Sequence, residues 1–237
     1  MFIHRTNLAG LETVAQGLGD WLSKTAFIGG QVLEVYRTDP VAASIRPSRE
    51  VDCLVSVPGM GFMPEWEKYL QERGFSRHDM ASELALEWSC QGVEVRLVPL
   101  WSEGAGFENK WLEEGLFHAR SFTLESGVNI RVFTPVYFVA AKLEALLHRG
   151  WYDLRSSEDF EDLVFLLEAR PELPDELGAA FYEVRDYIRG VFGQLLHHPE
   201  LEEALYGMLP LNSGATRISR IQAKMESMSF SQISSLA

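Results

Sequence analysis

Glu50-Val51-Asp52-Cys53-Leu54-Val55-Ser56-Val57 alternates acidic or polar with apolar side chains and then meets Pro58-Gly59. A period of two closed by a turn dipeptide predicts a strand. Glu50 and Asp52 then share one face, roughly 6.6 Å apart along the backbone at ~3.3 Å per residue. Carboxylates at that spacing can converge on one divalent ion. Magnesium takes oxygen ligands, commonly one or two carboxylates together with substrate phosphates. The same pattern also describes the wet side of an ordinary sheet, so the pair gains meaning only from its surroundings.

Upstream, Asn7–Thr25 carries Leu8, Leu11, Val14, Leu18, Trp21 and Leu22 at offsets of three and four, which predicts an amphipathic helix. Ala26-Phe27-Ile28-Gly29-Gly30 follows as a short strand running into paired glycines, and Gln31–Tyr36 resumes helical character. Glycines at a strand-to-helix junction either make a tight turn or let backbone N–H groups approach a phosphate. Arg37–Arg49, polar and holding Pro40 and Pro47, reads as a loop.

Downstream, Glu65–Arg73 reads as a helix closed by Gly74. Leu84–Ser89 and Val93–Pro99 are strands joined by the hairpin turn Cys90-Gln91-Gly92. Gly104–Gly115 is irregular, and Arg120–Leu124 pairs with Asn129–Phe133. From Thr134 the pattern is helical. Thr134 is the expected N-cap with Pro135 at the first helical position, and Ser157 caps Glu158–Arg170. Glu176–Leu196 and Glu200–Leu209 are helical, and the Ser-rich Ser213–Ala237 reads as a helix or a frayed end. The expected fold class is α+β: a mixed or antiparallel sheet flanked by helices over residues 1–133, with a helical region over 134–237 packed against it.

Composition narrows the function. The chain has 237 residues, with 21 Lys+Arg against 34 Asp+Glu, a net charge of −13, and 46% hydrophobic residues. That apolar share makes it globular. So acidic a chain is a poor general binder of duplex DNA, which depends on cations meeting phosphates. Phe133–Leu147, interrupted by Pro135, Lys142 and Glu144, falls short of the ~20 apolar residues of a membrane span. No secretory pattern is read at Met1–Asn7, so the expected compartment is the cytoplasm. Cys53 and Cys90 read as reduced and buried. The six histidines show no metal-ligand spacing, and no nucleophile elbow, Walker loop or dinucleotide fingerprint is present.

The order Phe27-Ile28-Gly29-Gly30, then Arg46-Pro47-Ser48-Arg49-Glu50-Val51-Asp52, resembles the AbiEii/AbiGii-type nucleotidyltransferase-like family of the polymerase-β-like superfamily. Gly106-Phe107-Glu108-Asn109-Lys110-Trp111 continues the likeness, which is clearest over Thr134–Ala145. There the family places a helix with an exposed lysine, then an arginine, then a D-x-x-D helix. Lys142, Arg149 and Asp159-Phe160-Glu161-Asp162 fit that order. The likeness covers about residues 23–173. It implies a nucleotidyltransferase-like fold and metal-dependent transfer of a nucleoside monophosphate from an NTP to an acceptor. Glu50 and Asp52 would hold Mg2+, and Gly29, Gly30, Arg46 and Ser48 would face the nucleotide. Glu94 is the candidate third metal ligand and Arg96 a further candidate nucleotide contact on the neighbouring strand. Lys142 would meet the triphosphate, and Asp159 and Asp162 would orient it. Members often act as toxins, so an antitoxin-like protein is an implied partner.

Two departures set a second reading beside the enzyme. Glu50 stands where the family usually has Asp. Arg96, in Val95-Arg96-Leu97-Val98-Pro99, stands where a third acid is common. Glu94 shares its parity and either reaches the site or pairs with Arg96 on the surface. A guanidinium there points to a catalytically degenerate binding or regulatory module. Arg46, Arg49, Arg96 and Lys142 would make a basic cleft in an acidic body, suited to a small anion. Trp101, Phe107 and Trp111 either stack on a base or pack in the core.

Overall fold

A computed structural model of the chain describes residues 4–40, 42, 48, 50–59, 62–77, 86–100, 109–209 and 214–229. The chain divides into two compact units, Met1–Val35 with Ser44–Thr134, and Tyr36–Ala43 with Pro135–Ala237.

The first unit is built on a mixed sheet of seven strands: β1 Thr25–Ile28, β2 Glu50–Val55, β3 Phe75–Arg77, β4 Leu86–Cys90, β5 Val93–Pro99, β6 Arg120–Thr123 and β7 Asn129–Val132. Their order is β3-β4-β5-β2-β1-β7-β6. β2 runs parallel to β5 and β1 parallel to β7, and the other pairs are antiparallel. Helix α1, His4–Leu18, lies against β2, β4 and β5. Its apolar stripe Leu11, Val14 and Leu18 is fully buried, worth about 1.5–3 kcal/mol per side chain in area removed from water. The sheet face it covers includes Cys90, which stands beside Gly17 of α1. Val51, Cys53, Val95 and Leu97 alternate with the residues of the opposite face and are buried. Helix α2 is the short Leu33–Tyr36; helix α3, Met63–Glu72, is tied to the end of α1, because Arg73 donates to Gly17 O at 2.6 Å and the Tyr69 hydroxyl to Leu18 O at 3.2 Å.

Several expectations shift in detail. The first helix stops at Leu18, and Gly19–Lys24 is a 3₁₀ segment leading into β1. The hairpin turn is two residues, Gln91 and Gly92, both at positive φ (51° and 83°), which matches the right-handed twist of β4 and β5. Trp111–Phe117, expected to be irregular as far as Gly115, forms helix α4. Its Gly115 sits against the Phe133 ring with no room for a Cβ.

The second unit is helical: α5 Pro135–Ala145, α6 Glu158–Ala169, α7 Leu173–Gly178, α8 Tyr182–Leu195, α9 Leu201–Met208 and α10 Gly214–Ser229. The Ser157 hydroxyl accepts the Phe160 N–H at 3.3 Å, and three acids fill the first turn of α6. The expected single helix over 176–196 breaks into α7 and α8. A π-helical turn, Leu146–Gly150, extends α5. Part of the expected loop belongs to this unit: Thr38 and Asp39 both donate their amides to Ala169 O at 3.0 Å. Arg170 donates to Tyr36 O at 2.8 Å and clamps Glu176 at 2.6 and 2.7 Å. Among the described residues no helix is long and apolar enough to cross a membrane.

Candidate functional site

The sheet face opposite α1 carries the predicted acids. β2 and β5 are in register, Glu50 beside Glu94 and Asp52 beside Arg96, so all four share that face. The two-residue turn sets β4 against β5 so that Glu87 lies opposite Arg96. Three acids on two neighbouring strands therefore surround one guanidinium. Arg96 Nε donates to Asp52 Oδ1 at 2.6 Å. Its Nη2 lies 2.6 Å from Asp52 Oδ1 and 3.0 Å from Glu50 Oε1. Burial works against the charge on Arg96, but Asp52, Glu50 and Glu87 outweigh it and hold the guanidinium above its ordinary value.

On its other side the Asp52 carboxylate fills the space left by the missing Cβ of Gly29. Gly29, next to Ile28 which pairs with Asp52, has φ 82°, and a Cβ there would run into the Asp52 carboxylate. The glycine meets both demands, positive φ and no side chain. Gly30 begins the 3₁₀ turn Gly30–Val32. The Ser48 hydroxyl donates to Glu50 O at 3.0 Å, so it ties down the entry to β2. Arg46, Arg49, Trp101 and Phe107 lie outside the described residues. Trp111 is 7% exposed in α4 and is a packed residue.

This donor set does not fit the expected magnesium. Among the described residues no three His, Cys, Asp or Glu side chains are placed to hold an ion, Glu50, Asp52 and Glu94 included. Arg96 stands against Asp52 Oδ1 and Glu50 Oε1, and its positive charge opposes a cation there. At an effective dielectric of about 20, unit charges ~4 Å apart interact by about 4 kcal/mol, so a divalent ion beside the guanidinium meets roughly twice that in repulsion.

Lys142, Arg149, Asp159 and Asp162 form a separate cluster within the helical unit. Lys142 Nζ on α5 lies 3.0 Å from Asp159 Oδ1 and 2.7 Å from Asp162 Oδ2 on α6. The spacing of three puts both aspartates on one helix face. Arg149, on the π-helical turn, meets Asp159 through Nε at 2.7 Å and Nη2 at 3.0 Å. Both aspartate side chains are at most 3% exposed and Lys142 is 14% exposed. Burial opposes the Lys142 charge, but Asp162 and Asp159 overcome it and raise the ammonium above its ordinary value. Burial alone would raise the Asp159 carboxyl; Lys142 and Arg149 hold it below its ordinary 3.8. Lys142 is thus not the exposed lysine expected from the resemblance. Its charge is spent on two buried carboxylates of its own unit.

The residue that sequence reasoning missed is Glu87. A two-residue turn at Gln91-Gly92 counts back to place 87 opposite 96; a turn that includes Cys90 does not.

No protein-family model and no curated protein sequence matches the chain. Among solved structures, the chain is similar to an antigenic nucleotidyltransferase-like protein from Paracoccidioides brasiliensis, at 16% identity and TM-score 0.48, over 86% of this chain and 94% of that one. It is also similar to JHP933 from Helicobacter pylori, at 9% identity and TM-score 0.44, over 97% and 90%. At these scores the likeness adds no argument, and the functional reading rests on the side chains themselves.

Proposed function

We propose that the chain is a nucleotidyltransferase-like protein that has lost metal-dependent transfer at its β2–β5 face and acts as a binding or regulatory module. The observation that carries this is Arg96, hydrogen-bonded to Asp52 and ion-paired with Glu50. The ordered motifs support the nucleotidyltransferase-like part of the reading, since Gly29 and Asp52 adjoin as that arrangement requires. Transfer of a nucleoside monophosphate needs an ion to clamp the triphosphate and activate the attacking oxygen. Arg96 supplies charge but no bound water to deprotonate, and it leaves the two acids with a fixed partner.

The alternative, a working Mg-dependent nucleotidyltransferase, is favoured by one feature: Asp52 is the more enclosed of the two acids, 13% exposed against 40% for Glu50, as a primary metal ligand would be. Labelled ATP, GTP, CTP and UTP, incubated with Mg2+ and RNA, protein or small-alcohol acceptors, separate the two. The module reading expects no transfer and nucleotide binding that is absent or indifferent to Mg2+. Transfer that Asp52→Ala abolishes would establish the enzyme.

A further inference from the structure

We propose that helix α10 is a strap, and that Lys224 on it holds the segment 36–39 onto the C-terminal end of α6. The inference concerns the helical unit alone and does not depend on the nucleotidyltransferase-like reading.

The last carbonyls of a helix have no partner inside it, and positive charge is favoured there. The last turn of α6 holds no basic residue. Its end is served instead from two distant parts of the chain. From 36–39, Thr38 and Asp39 donate their amides to Ala169 O, and the Thr38 hydroxyl donates to Glu172 Oε2 at 2.6 Å. From α10, Lys224 Nζ donates to Leu167 O at 2.5 Å and to Arg170 O at 3.2 Å. Those carbonyls flank Ala169 in the chain. Burial pulls the Lys224 ammonium below its ordinary value, while Glu172 and Asp39 draw it up. The ammonium is therefore a countercharge shared by the helix end and the two acids beside it. Helix α10 has anchors of its own, because Ile218, Ile221, Met225 and Met228 are buried and Arg217 pairs with Glu168 on α6. Neutralising Lys224 leaves those anchors in place. It turns Asp39 and Glu172 toward the negative end of α6 with one positive charge fewer, so 36–39 opens before α6 or α10 does. In the chain this segment lies between Gly30 and β2, and the strap fixes one end of the connection that leads to Glu50 and Asp52.

The test is amide hydrogen exchange on the full-length chain. The Thr38 and Asp39 amides of the wild type are expected to be protected. Lys224→Met, checked for native circular dichroism, should speed their exchange by about tenfold or more, the scale of a lost hydrogen bond from a charged group, and leave the α5 amides at the wild-type rate. Arg220→Met, which removes a like charge near Lys224, should leave Thr38 and Asp39 slow. A folded Lys224→Met chain with unchanged exchange at Thr38 and Asp39 would overturn the proposal. Equal acceleration by Arg220→Met, or acceleration spread evenly over α5, would overturn it as well, since Lys224 would then act through net charge or on the whole unit. A second measurement needs no variant. Under trace acetylation of the wild type, Lys224 should be labelled much more slowly than Lys68, whose side chain is 77% exposed. Equal labelling of the two amines would mean that Lys224 does not hold the end of α6.

Discussion

The chain holds two cation–carboxylate clusters that look alike on paper and differ in burial. Around Arg96 the side chains are 13–40% exposed and stand on a sheet face. Around Lys142 the two aspartates are at most 3% exposed and lie between helices α5 and α6. Water can replace a lost partner in the first cluster and cannot in the second. Loss of a partner should therefore cost stability chiefly in the buried cluster, and in the exposed one should chiefly change the charge of the sheet face. Sequence position gave both the same apparent role, contacts to a triphosphate and its metal; only burial separates them.

The largest effect expected is at the buried cluster. Lys142→Met leaves Asp159 and Asp162 without their shared ammonium and should cost about 3–5 kcal/mol, the usual result of removing one partner from a buried pair. Urea unfolding measures this, and a loss near zero would show that the cluster is solvated. Gly29→Ala should cost about 1–3 kcal/mol from strain at positive φ, and more if the Asp52 carboxylate cannot shift. It should also weaken the Arg96 contact, which links a stability change to the exposed cluster.

Next is pH. Asp159 is held below its ordinary 3.8, so its contribution is complete above that value and is lost as pH falls through the lower folded value. Unfolding free energy should decline over that acid window, and Asp159→Asn should flatten the decline. An unchanged slope would remove Asp159 from the account. Ser157→Ala, which takes the cap from α6 where Asp159 begins, should cost about 1 kcal/mol. The smallest effect is Arg96→Met: about 1 kcal/mol or less, because the cluster is partly wet. A loss as large as that of Lys142→Met would erase the distinction between the two clusters.

Much of the fold was legible because strand alternation and helical spacing report directly on which face is buried. β2, the β4–β5 and β6–β7 hairpins, and α5 and α6 with its Ser157 cap follow from period and punctuation alone. The three-residue edge strand Phe75–Arg77 was not legible; it is too short to show a period and is defined by pairing with Trp88, Ser89 and Cys90. Helix α4 was hidden by Gly115, which reads as a breaker but is there to let Phe133 approach. The attachment of Thr38 and Asp39 to Ala169 spans more than a hundred residues, and no local pattern reports it. At the site, Glu50, Asp52, Glu94 and Arg96 were legible as one face from parity. Their pairing was not, because parity says which side a residue faces and not whether an ion or an arginine fills the space between.

The Arg96 side-chain Nε–H resonance tests the central claim most directly. In ¹⁵N-correlated spectra of the wild-type chain it should be a slowly exchanging, hydrogen-bonded signal that Asp52→Asn displaces. Excess Mg2+ should leave it unmoved, and trace Mn2+ should not selectively broaden it. A signal that exchanges freely with water, or that Mg2+ shifts and Mn2+ erases, would mean that Arg96 yields the carboxylates to an ion and that the metal-closed face described above is wrong.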